Sequence, residues 1–140
     1  MADWERQLAA QGCRVTASRR AIMCVLERAS APLDPQEILE RARAQHPQLG
    51  LVTVYRTMAL LGRLGLVRRV HQPDSCHGYL LASPGHHHAL VCHRCGQAIE
   101  FAGGRELDTL VQRVERETGF CVEEHLLQLY GICEQCLRKD

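Results

Sequence analysis

Residues 85–96 read GHHHALVCHRCG and place four histidines and two cysteines around a short apolar run. Histidine nitrogen and cysteine sulfur are common ligands of zinc and other transition metals. A second C-x-x-C pair lies further along the chain, at Cys133 and Cys136. Two such pairs present four thiolates to one tetrahedral ion. We therefore predict one closed structural zinc site per chain, with the ligands Cys92, Cys95, Cys133 and Cys136, which ties the C-terminal half together.

The same cysteines allow two further interpretations, a redox-active C-x-x-C pair or disulfides. Eight cysteines in 140 residues would favour disulfides in a secreted domain. The first twelve residues, however, lack the apolar segment of a signal peptide, and no run reaches the ~20 apolar residues that span a bilayer. We therefore expect a cytoplasmic protein without a membrane partner, in which reduced thiolates bind metal.

The N-terminal half has the periodicity of three short helices followed by a β-ribbon. Apolar residues recur at helical spacing after Thr16, after Asp34 and between residues 51 and 65. Thr16 and Asp34 are predicted N-caps, and Gly65 is a predicted C-terminal cap. The period then changes to that of two strands, LVRRVHQ and GYLLA, around a Pro-Asp-Ser turn. This layout is typical of a winged helix-turn-helix domain, which binds double-stranded DNA.

The C-terminal half is predicted to combine short strands with one helix. We expect strands at residues 89–91, 98–101 and 121–129, and between the last two an amphipathic helix that ends at Gly119. A boundary near residues 83–85 then divides the chain into a winged-helix domain at 1–83 and a metal-binding domain at 84–140. The predicted fold class is α+β, with an N-terminal winged helix-turn-helix domain and a small α/β domain that carries the structural zinc site.

The histidines need a separate explanation, because four thiolates leave no vacancy at the zinc ion. Alternate side chains of a strand point to opposite faces, so His86 and His88 are expected on one face and His87 on the other. The run can supply two exchangeable sites for zinc, iron or manganese, or it can be a solvated loop. Neighbouring side chains favour the ligand roles; they are His71, Cys76, His77, Glu100, Asp108 and His125.

Three motifs together resemble the ferric uptake regulator family of metal-dependent repressors. They are Arg14-Val-Thr-Ala-Ser-Arg19, Gly50-Leu-Val-Thr-Val-Tyr-Arg56, and HHH-x-x-x-C-x-x-C-G with the distal C-x-x-C. The resemblance extends over nearly the whole chain. It implies a homodimeric repressor that binds double-stranded operator DNA, with the C-terminal domain as the dimerisation domain. The implied DNA contacts are Arg19, Thr53, Tyr55 and Arg56, although the arginines could also form a solvated face and the tyrosine could be a half-buried packing residue.

The resemblance also implies where metal binds. It places the structural zinc on the cysteine quartet and a regulatory metal in the dimerisation domain, on His86, His88, Asp108 and His125. The family's hinge site is matched less completely, because Ala89 and Leu80 stand at two of its ligand positions. The implied hinge ligands are Cys76, His77, His87 and Glu100, with His71 as a further candidate.

A thiolate ligand at the hinge is more similar to the zinc-responsive branch of the family than to the iron-responsive one. Zinc is therefore the predicted regulatory metal, although iron or manganese could take its place. The same residues would also suit a peroxide-responsive regulator, or a zinc-stabilised adaptor that does not sense metal.

An enzyme is the main rival from another class, and the sequence argues against it. A zinc deaminase needs an H-x-E motif, which is absent, and Glu124-His125 lacks the second histidine of a metalloprotease because residue 121 is Cys121. We therefore predict no catalytic residues and no small organic substrate. The net charge of +1, from 17 basic and 16 acidic residues, further implies that DNA contact depends on a local basic patch.

Overall fold

A computed structural model describes residues 2–72 and 75–139 of the chain, including all their side chains except those of residues 75 and 76. The elements in chain order are α1 (Asp3–Ala10), α2 (Ala17–Arg28), α3 (Pro35–Ala42), α4 (Leu51–Arg63), β1 (Val67–Gln72), β2 (Ser75–Leu81), β3 (His87–Cys92), β4 (Ala98–Ala102), α5 (Arg105–Thr118), β5 (Gln128–Gly131) and α6 (Glu134–Arg138). Helices with a two-stranded ribbon are followed by a three-stranded sheet, which confirms the predicted α+β class.

The helices α2 and α3 begin at their predicted N-caps, and α4 ends next to its predicted C-terminal cap. The Thr16 hydroxyl accepts a hydrogen bond from the Arg19 backbone N–H at 3.2 Å. Asp34 accepts from the Glu37 N–H at 2.8 Å, and Glu37 accepts from the Asp34 N–H at 3.3 Å, which completes a capping box. Beyond α4, Gly65 has a left-handed φ of 73°. Each side-chain cap is worth about 1 kcal/mol, so these residues determine where the helix-turn-helix changes direction.

One apolar core joins α2, α3, α4 and the start of the ribbon. Its most completely buried side chains include Ile22, Ile38, Val54 and Leu61, which lie on the helix faces that the period of 3.6 residues predicts. The ribbon β1–β2 is held beside this core, because Leu33 and Tyr79 exchange two backbone hydrogen bonds of 3.0 and 2.8 Å. The wing therefore has a defined position next to α4.

The C-terminal sheet has the strand order β4-β3-β5. β3 pairs antiparallel with β4, in a register that places His88 opposite Phe101, and it pairs parallel with β5 from Ala89 opposite Gln128 to Cys92 opposite Gly131. The parallel pairing brings the two C-x-x-C segments to the same end of the sheet.

The strand predicted at residues 121–129 is wrong for most of its length, because β5 begins only at Gln128. Residues 121–127 form no strand. They are held instead through α5, where the Val122 N–H donates to the Glu115 carboxylate at 3.0 Å. His125 accordingly lies in an irregular segment rather than in a strand.

Two short helices, α1 and α6, are absent from the sequence prediction. α1 buries Leu8 completely, and α6 carries the buried Cys136. None of the described helices combines the length and the apolar character needed to span a membrane. The division of the chain into residues 1–83 and 84–140 stays a prediction.

Candidate metal centres and nucleic-acid interface

The four cysteines of the two C-x-x-C pairs, Cys92, Cys95, Cys133 and Cys136, form a compact cluster of sulfur atoms, all within 4.8 Å of one another. The Sγ atoms of Cys95 and Cys133 are 3.7 Å apart, and those of Cys92 and Cys136 are 3.9 Å apart. A tetrahedral zinc ion with Zn–S bonds of ~2.3 Å requires sulfur separations of about 3.8 Å. These distances exceed the ~2.05 Å of a disulfide. The donor set therefore fits a structural zinc ion.

The backbone presents these sulfurs in two tight turns. Cys92 ends β3, and the turn after it closes with a hydrogen bond from the Gly96 N–H to the Cys92 carbonyl at 3.0 Å. Gly96 has a φ of 77°, a left-handed conformation that favours glycine. Cys133 caps α6, whose single turn brings Cys136 inward. Sequence spacing predicts both turns, whereas their approach depends on the pairing of β3 with β5.

The cysteine cluster also prepares one thiolate for metal. Backbone N–H groups of Cys95 and Cys133 direct hydrogen bonds at the Cys92 sulfur, the latter at 3.3 Å, and they lower its pKa to about 6. Hydrogen bonding with the Cys133 thiol, together with burial, raises the pKa of Cys136 to about 12. Without metal the cluster shares its protons unequally, and a bound cation would convert all four sulfurs to thiolates.

A second cluster contains three of the predicted histidines. His86 and His125 place their Nε2 atoms 2.9 Å apart, with stacked rings, and the His88 ring centroid lies 4.7 Å from that of His86 and 5.3 Å from that of His125. His87 is not part of this group. The alternation of side chains along β3 thus separates the histidine run onto two faces, as the sequence predicts.

The three-histidine cluster has an unpartnered nitrogen at its centre. His88 is only 5% exposed, and its Nε2 atom has no hydrogen-bond partner among the described residues. Burial, and then the neighbouring His86 and His125, lower the pKa of His88, so the ring is neutral and able to donate a lone pair. Gly103 leaves room for the rings, since a Cβ there would lie 2.8 Å from His86 and 3.2 Å from the His88 Nε2. These features fit a divalent cation.

Asp108 is the fourth predicted ligand of this site, and the structure places it nearby but outside the cluster. It lies in the first turn of α5 and lines a surface cleft together with His125. Its carboxylate is not among the ligand atoms that lie within 4.8 Å of one another.

The predicted hinge ligands do not converge among the described residues. Glu100 accepts hydrogen bonds from the wing and from the linker that follows it. His77 packs edge-on against His71, with 4.8 Å between ring centroids, and lines a cleft that faces α4. His87 lies on the same face of the sheet as Glu100. The Cys76 side chain lies outside the described part of the structure.

Three of the predicted DNA-contacting residues, Thr53, Tyr55 and Arg56, are exposed, and Arg19 is half-buried. Thr53, Tyr55 and Arg56 lie on the outward face of α4, and the Tyr55 side chain is exposed rather than packed in the core. Arg19 and Arg56 line one cleft between the start of α2 and the outer face of α4.

Two further arginines, Arg14 and Arg63, line the same cleft, so four of its lining residues are arginines. This grouping was not predicted from the sequence. Arg63 carries a detectable signal, since it lies seven residues after Arg56 and therefore on the same face of α4. The contribution of Arg14 depends on the way α2 packs against α4. The cleft is therefore a local basic patch. Because the net charge of the chain is close to zero, contact with DNA depends on such a patch.

Comparison with known proteins places this arrangement in a family. Residues 10–130 match the family described as "Ferric uptake regulator family". The "Ferric uptake regulation protein" of Bacillus subtilis (strain 168) is 31% identical over 140 residues, which cover 97% of this chain and 93% of that protein. The "Peroxide operon regulator" of the same strain is 30% identical over 129 residues, which cover 92% of this chain and 88% of that protein.

A solved structure described as "Zinc Uptake Regulator Complexed With Zinc AND DNA" matches with a TM-score of 0.80. The match covers 96% of this chain and 91% of that chain at 21% identity, so it concerns the fold. The family match extends over most of the sequence and agrees with the geometry of the cysteines, histidines and arginines. The protein therefore belongs to the ferric uptake regulator family and is a metal-responsive, DNA-binding transcription regulator rather than an enzyme.

Proposed function

We propose that the protein is a zinc-responsive transcriptional repressor that binds operator DNA as a homodimer when its regulatory metal sites are filled. The observation that carries this proposal is the pair of distinct clusters, a four-cysteine cage and a separate group of three histidines with an unpartnered buried nitrogen. A closed cage of four thiolates holds its metal ion tightly, as a structural site does. The partly exposed cluster of three histidines suits a metal ion that exchanges with the solution.

Zinc is proposed as the regulatory metal because of its ligands, since imidazole and thiolate groups both bind zinc well. The four-cysteine cluster would hold one zinc ion per chain in addition to the regulatory zinc. In the regulatory site His86, His88 and His125 would bind the ion, with Asp108 as the fourth ligand after a movement of α5. Iron and manganese also accept imidazole ligands, so metal reconstitution has to compare all three ions.

The homodimer is proposed to form through the C-terminal domain, residues 84–140. α5 buries none of its residues within the described chain, although its apolar side chains share one face. Phe120 and Leu126, in the segment after α5, are 74% and 78% exposed. These side chains together expose more apolar surface than single scattered hydrophobic residues do. A second copy of the chain would cover this surface. Because operator DNA lies in the cytoplasm, we propose that the protein acts there.

In the proposed complex, α4 of the winged-helix domain (residues 1–83) enters the major groove, which is ~12 Å wide. Thr53, Tyr55 and Arg56 lie on its exposed face and would contact base edges and the backbone. Arg19, in the basic cleft, would bind phosphate and fix the register of the helix.

Repression is proposed to follow from linkage between metal and DNA. The liganded histidines would favour the arrangement in which the two winged helices of the dimer are spaced for successive major-groove faces. The coupling between two such sites is typically about 1–3 kcal/mol, and it acts equally in both directions. Loss of regulatory metal would then release the operator.

Elemental analysis before and after mild chelation, with operator binding followed in parallel, tests this function. We expect one zinc per chain to remain, and the loss of one or two removable equivalents to abolish operator binding. Restoration by zinc at lower free concentration than by iron or manganese supports the zinc-responsive proposal. A single retained zinc with no further metal response would indicate a non-sensing adaptor, and restoration by iron or manganese alone would replace zinc as the regulatory metal.

We expect Arg56→Ala to weaken operator binding by roughly 5- to 150-fold without changing the zinc content. This range corresponds to the about 1–3 kcal/mol that a well-placed arginine contact to a base contributes. Fluorescence anisotropy with labelled operator DNA measures the change. Arg28→Ala, in the last turn of α2, is a matched control that removes one charge from the same domain. Equal loss of zinc and of DNA binding would show that Arg56 only supports the fold.

The hinge ligands are tested by Cys76→Ala and His77→Ala, each compared with Cys121→Ala, which alters an exposed cysteine outside both clusters. We expect the hinge variants to lose one removable zinc equivalent, which a zinc titration against a chromophoric chelator measures. The His77 ring lines the α4 cleft, on the face of the ribbon opposite to the Arg68 side chain that binds Glu100. An unchanged titration in both variants would remove Cys76 and His77 from the ligand set.

A further inference from the structure

The Glu100 carboxylate on β4 joins three parts of the chain. Arg68 on β1 donates from Nε to one carboxylate oxygen at 2.7 Å. The backbone N–H of Ser83, in the linker between the ribbon and β3, donates to the other oxygen at 2.8 Å. The Glu100 side chain is 9% exposed and that of Arg68 is 26% exposed. The ion pair is therefore partly shielded from water, which makes it stronger than a surface pair.

The Glu100 carboxylate already has hydrogen-bond partners, unlike the Nε2 atom of His88 in the described part of the chain. Burial raises the pKa of Glu100, but the hydrogen bonds from Arg68 and Ser83 outweigh it and hold the pKa below its usual range. Both carboxylate oxygens already accept N–H groups, whereas the His88 Nε2 atom has no partner among the described residues. A metal ion at Glu100 would have to displace a guanidinium group from a nearly enclosed position.

The opposite end of β1 is attached to the same sheet. Gln128 of β5 accepts from the His71 N–H at 3.1 Å and donates to the His71 carbonyl at 2.6 Å, and the Tyr130 hydroxyl donates to that carbonyl at 3.0 Å. β1 is thus held to the C-terminal sheet near both of its ends. The orientation of the wing relative to this sheet is therefore determined by side-chain contacts of the protein itself.

We propose that Arg68, Glu100 and the Ser83 N–H form a metal-independent clamp between the wing and the C-terminal sheet, and that Glu100 is a positioning residue rather than a metal ligand. The guanidinium group supplies the positive charge beside this carboxylate, so a hinge metal held by Cys76, His77 or His87 would not take Glu100 as a ligand.

The clamp assigns different tasks to two neighbouring arginines. Arg68 faces the C-terminal sheet, while Arg69 lies on the other face of β1 and lines the cleft that contains Tyr55. Arg69 therefore remains available to a DNA phosphate when Arg68 is held by Glu100. This inference deepens the proposed function, and it rests on that function only where operator affinity is the readout.

Hydrogen exchange and zinc counting on Glu100→Gln test the clamp without DNA. We expect the variant to keep every zinc equivalent of the wild type, while the amides of β1 and residues 82–83 exchange roughly tenfold faster, as for the loss of a charge-assisted hydrogen bond. Arg68→Ala should produce the same pattern, and Arg68→Lys should restore part of the protection. Arg69→Ala is the matched control, because it removes an adjacent positive charge without breaking the clamp.

The double variant Arg68→Ala with Glu100→Gln separates a specific pair from general destabilisation. We expect its exchange rates to match those of the single variants, because either change already breaks the pair. Loss of a zinc equivalent in Glu100→Gln would show that Glu100 is a ligand and would overturn the proposal. Unchanged exchange rates in the single variants, or additive increases in the double variant, would also overturn it. A wild-type protein whose operator binding ignores zinc would refute the proposed function but leave the zinc count and the exchange rates of these variants unaffected.

Discussion

Cys95→Ser is expected to release the tightly held zinc and to unfold the C-terminal sheet while the helical core of α2, α3 and α4 stays folded. Zinc contributes about 10–16 kcal/mol to the folding of small structural zinc units. That amount equals the whole free energy of unfolding of a typical domain, about 5–15 kcal/mol. Beyond residue 84, the buried apolar side chains of the described chain are only Ala89, Val91, Cys92 and Cys136. The sheet therefore has little apolar core to replace the lost metal.

Circular dichroism and elemental analysis measure this result, and hydrogen exchange locates it in the chain. Exchange protection should disappear from β3, β4 and β5 and persist in the N-terminal helices, whose core contains no residue from the sheet. Cys121→Ser is the control, since Cys121 is an exposed thiol outside the sulfur cluster. A Cys95→Ser protein with unchanged zinc content and melting temperature would refute the structural zinc site.

His88→Ala is expected to remove the exchangeable metal and the metal response of operator binding while the structural zinc stays in place. His88 is the most enclosed of the three clustered histidines, and its removal leaves only two imidazole groups in the cluster. Ligand loss in metal sites commonly lowers affinity by far more than the 10–100-fold produced by a change in the outer shell. We therefore expect operator binding at the level of the chelated wild type.

A zinc titration monitored by competition with a chelator measures the loss, and the retained zinc is counted by elemental analysis. His46→Ala, in the turn after α3, is the control for the removal of one imidazole elsewhere. Retention of the full removable zinc and of the metal response in His88→Ala would exclude the three-histidine cluster as the sensing site.

The pH dependence of the metal-free protein offers a second readout of the same variant. Burial, with His86 and His125 beside it, holds the pKa of His88 below its ordinary value of 6.5. Below about pH 6.5, His88 therefore binds a proton more readily in the unfolded chain than in the folded chain. The free energy of unfolding falls as the pH drops through this range, whereas His88 has no effect on it at higher pH. Thermal melts at pH 7.5 and 5.5 should therefore differ less in His88→Ala than in the wild type.

Much of the N-terminal half could be predicted because its determinants are local. The caps at Thr16 and Asp34 involve residues three positions apart, and the buried faces of α2 and α4 follow from the helical period. The separation of His87 from His88 likewise follows from the alternation of a strand. Such features depend on neighbours along the chain, which a sequence displays directly.

The failures concern contacts between distant residues. The predicted strand at residues 121–129 has a suitable pattern, yet only its end pairs with another strand, and that pairing joins residues about 40 positions apart. The ion pair between Glu100 and Arg68 joins residues 32 positions apart, so no local pattern indicates it. The contribution of Arg14 to the basic cleft depends in the same way on the packing of α2 against α4.

The sequence by itself determined the winged-helix pattern, the two C-x-x-C turns and the two faces of the histidine run, because spacing and capping act over a few residues. Only the tertiary structure decided which of these groups meet. Parallel pairing of β3 with β5 closes the four-cysteine cluster, the segment after α5 brings His125 to His86 and His88, and the packing of the wing on the sheet assigns Glu100 to Arg68. These contacts depend on the balance of burial, charge and pairing across the whole fold, which no local pattern records.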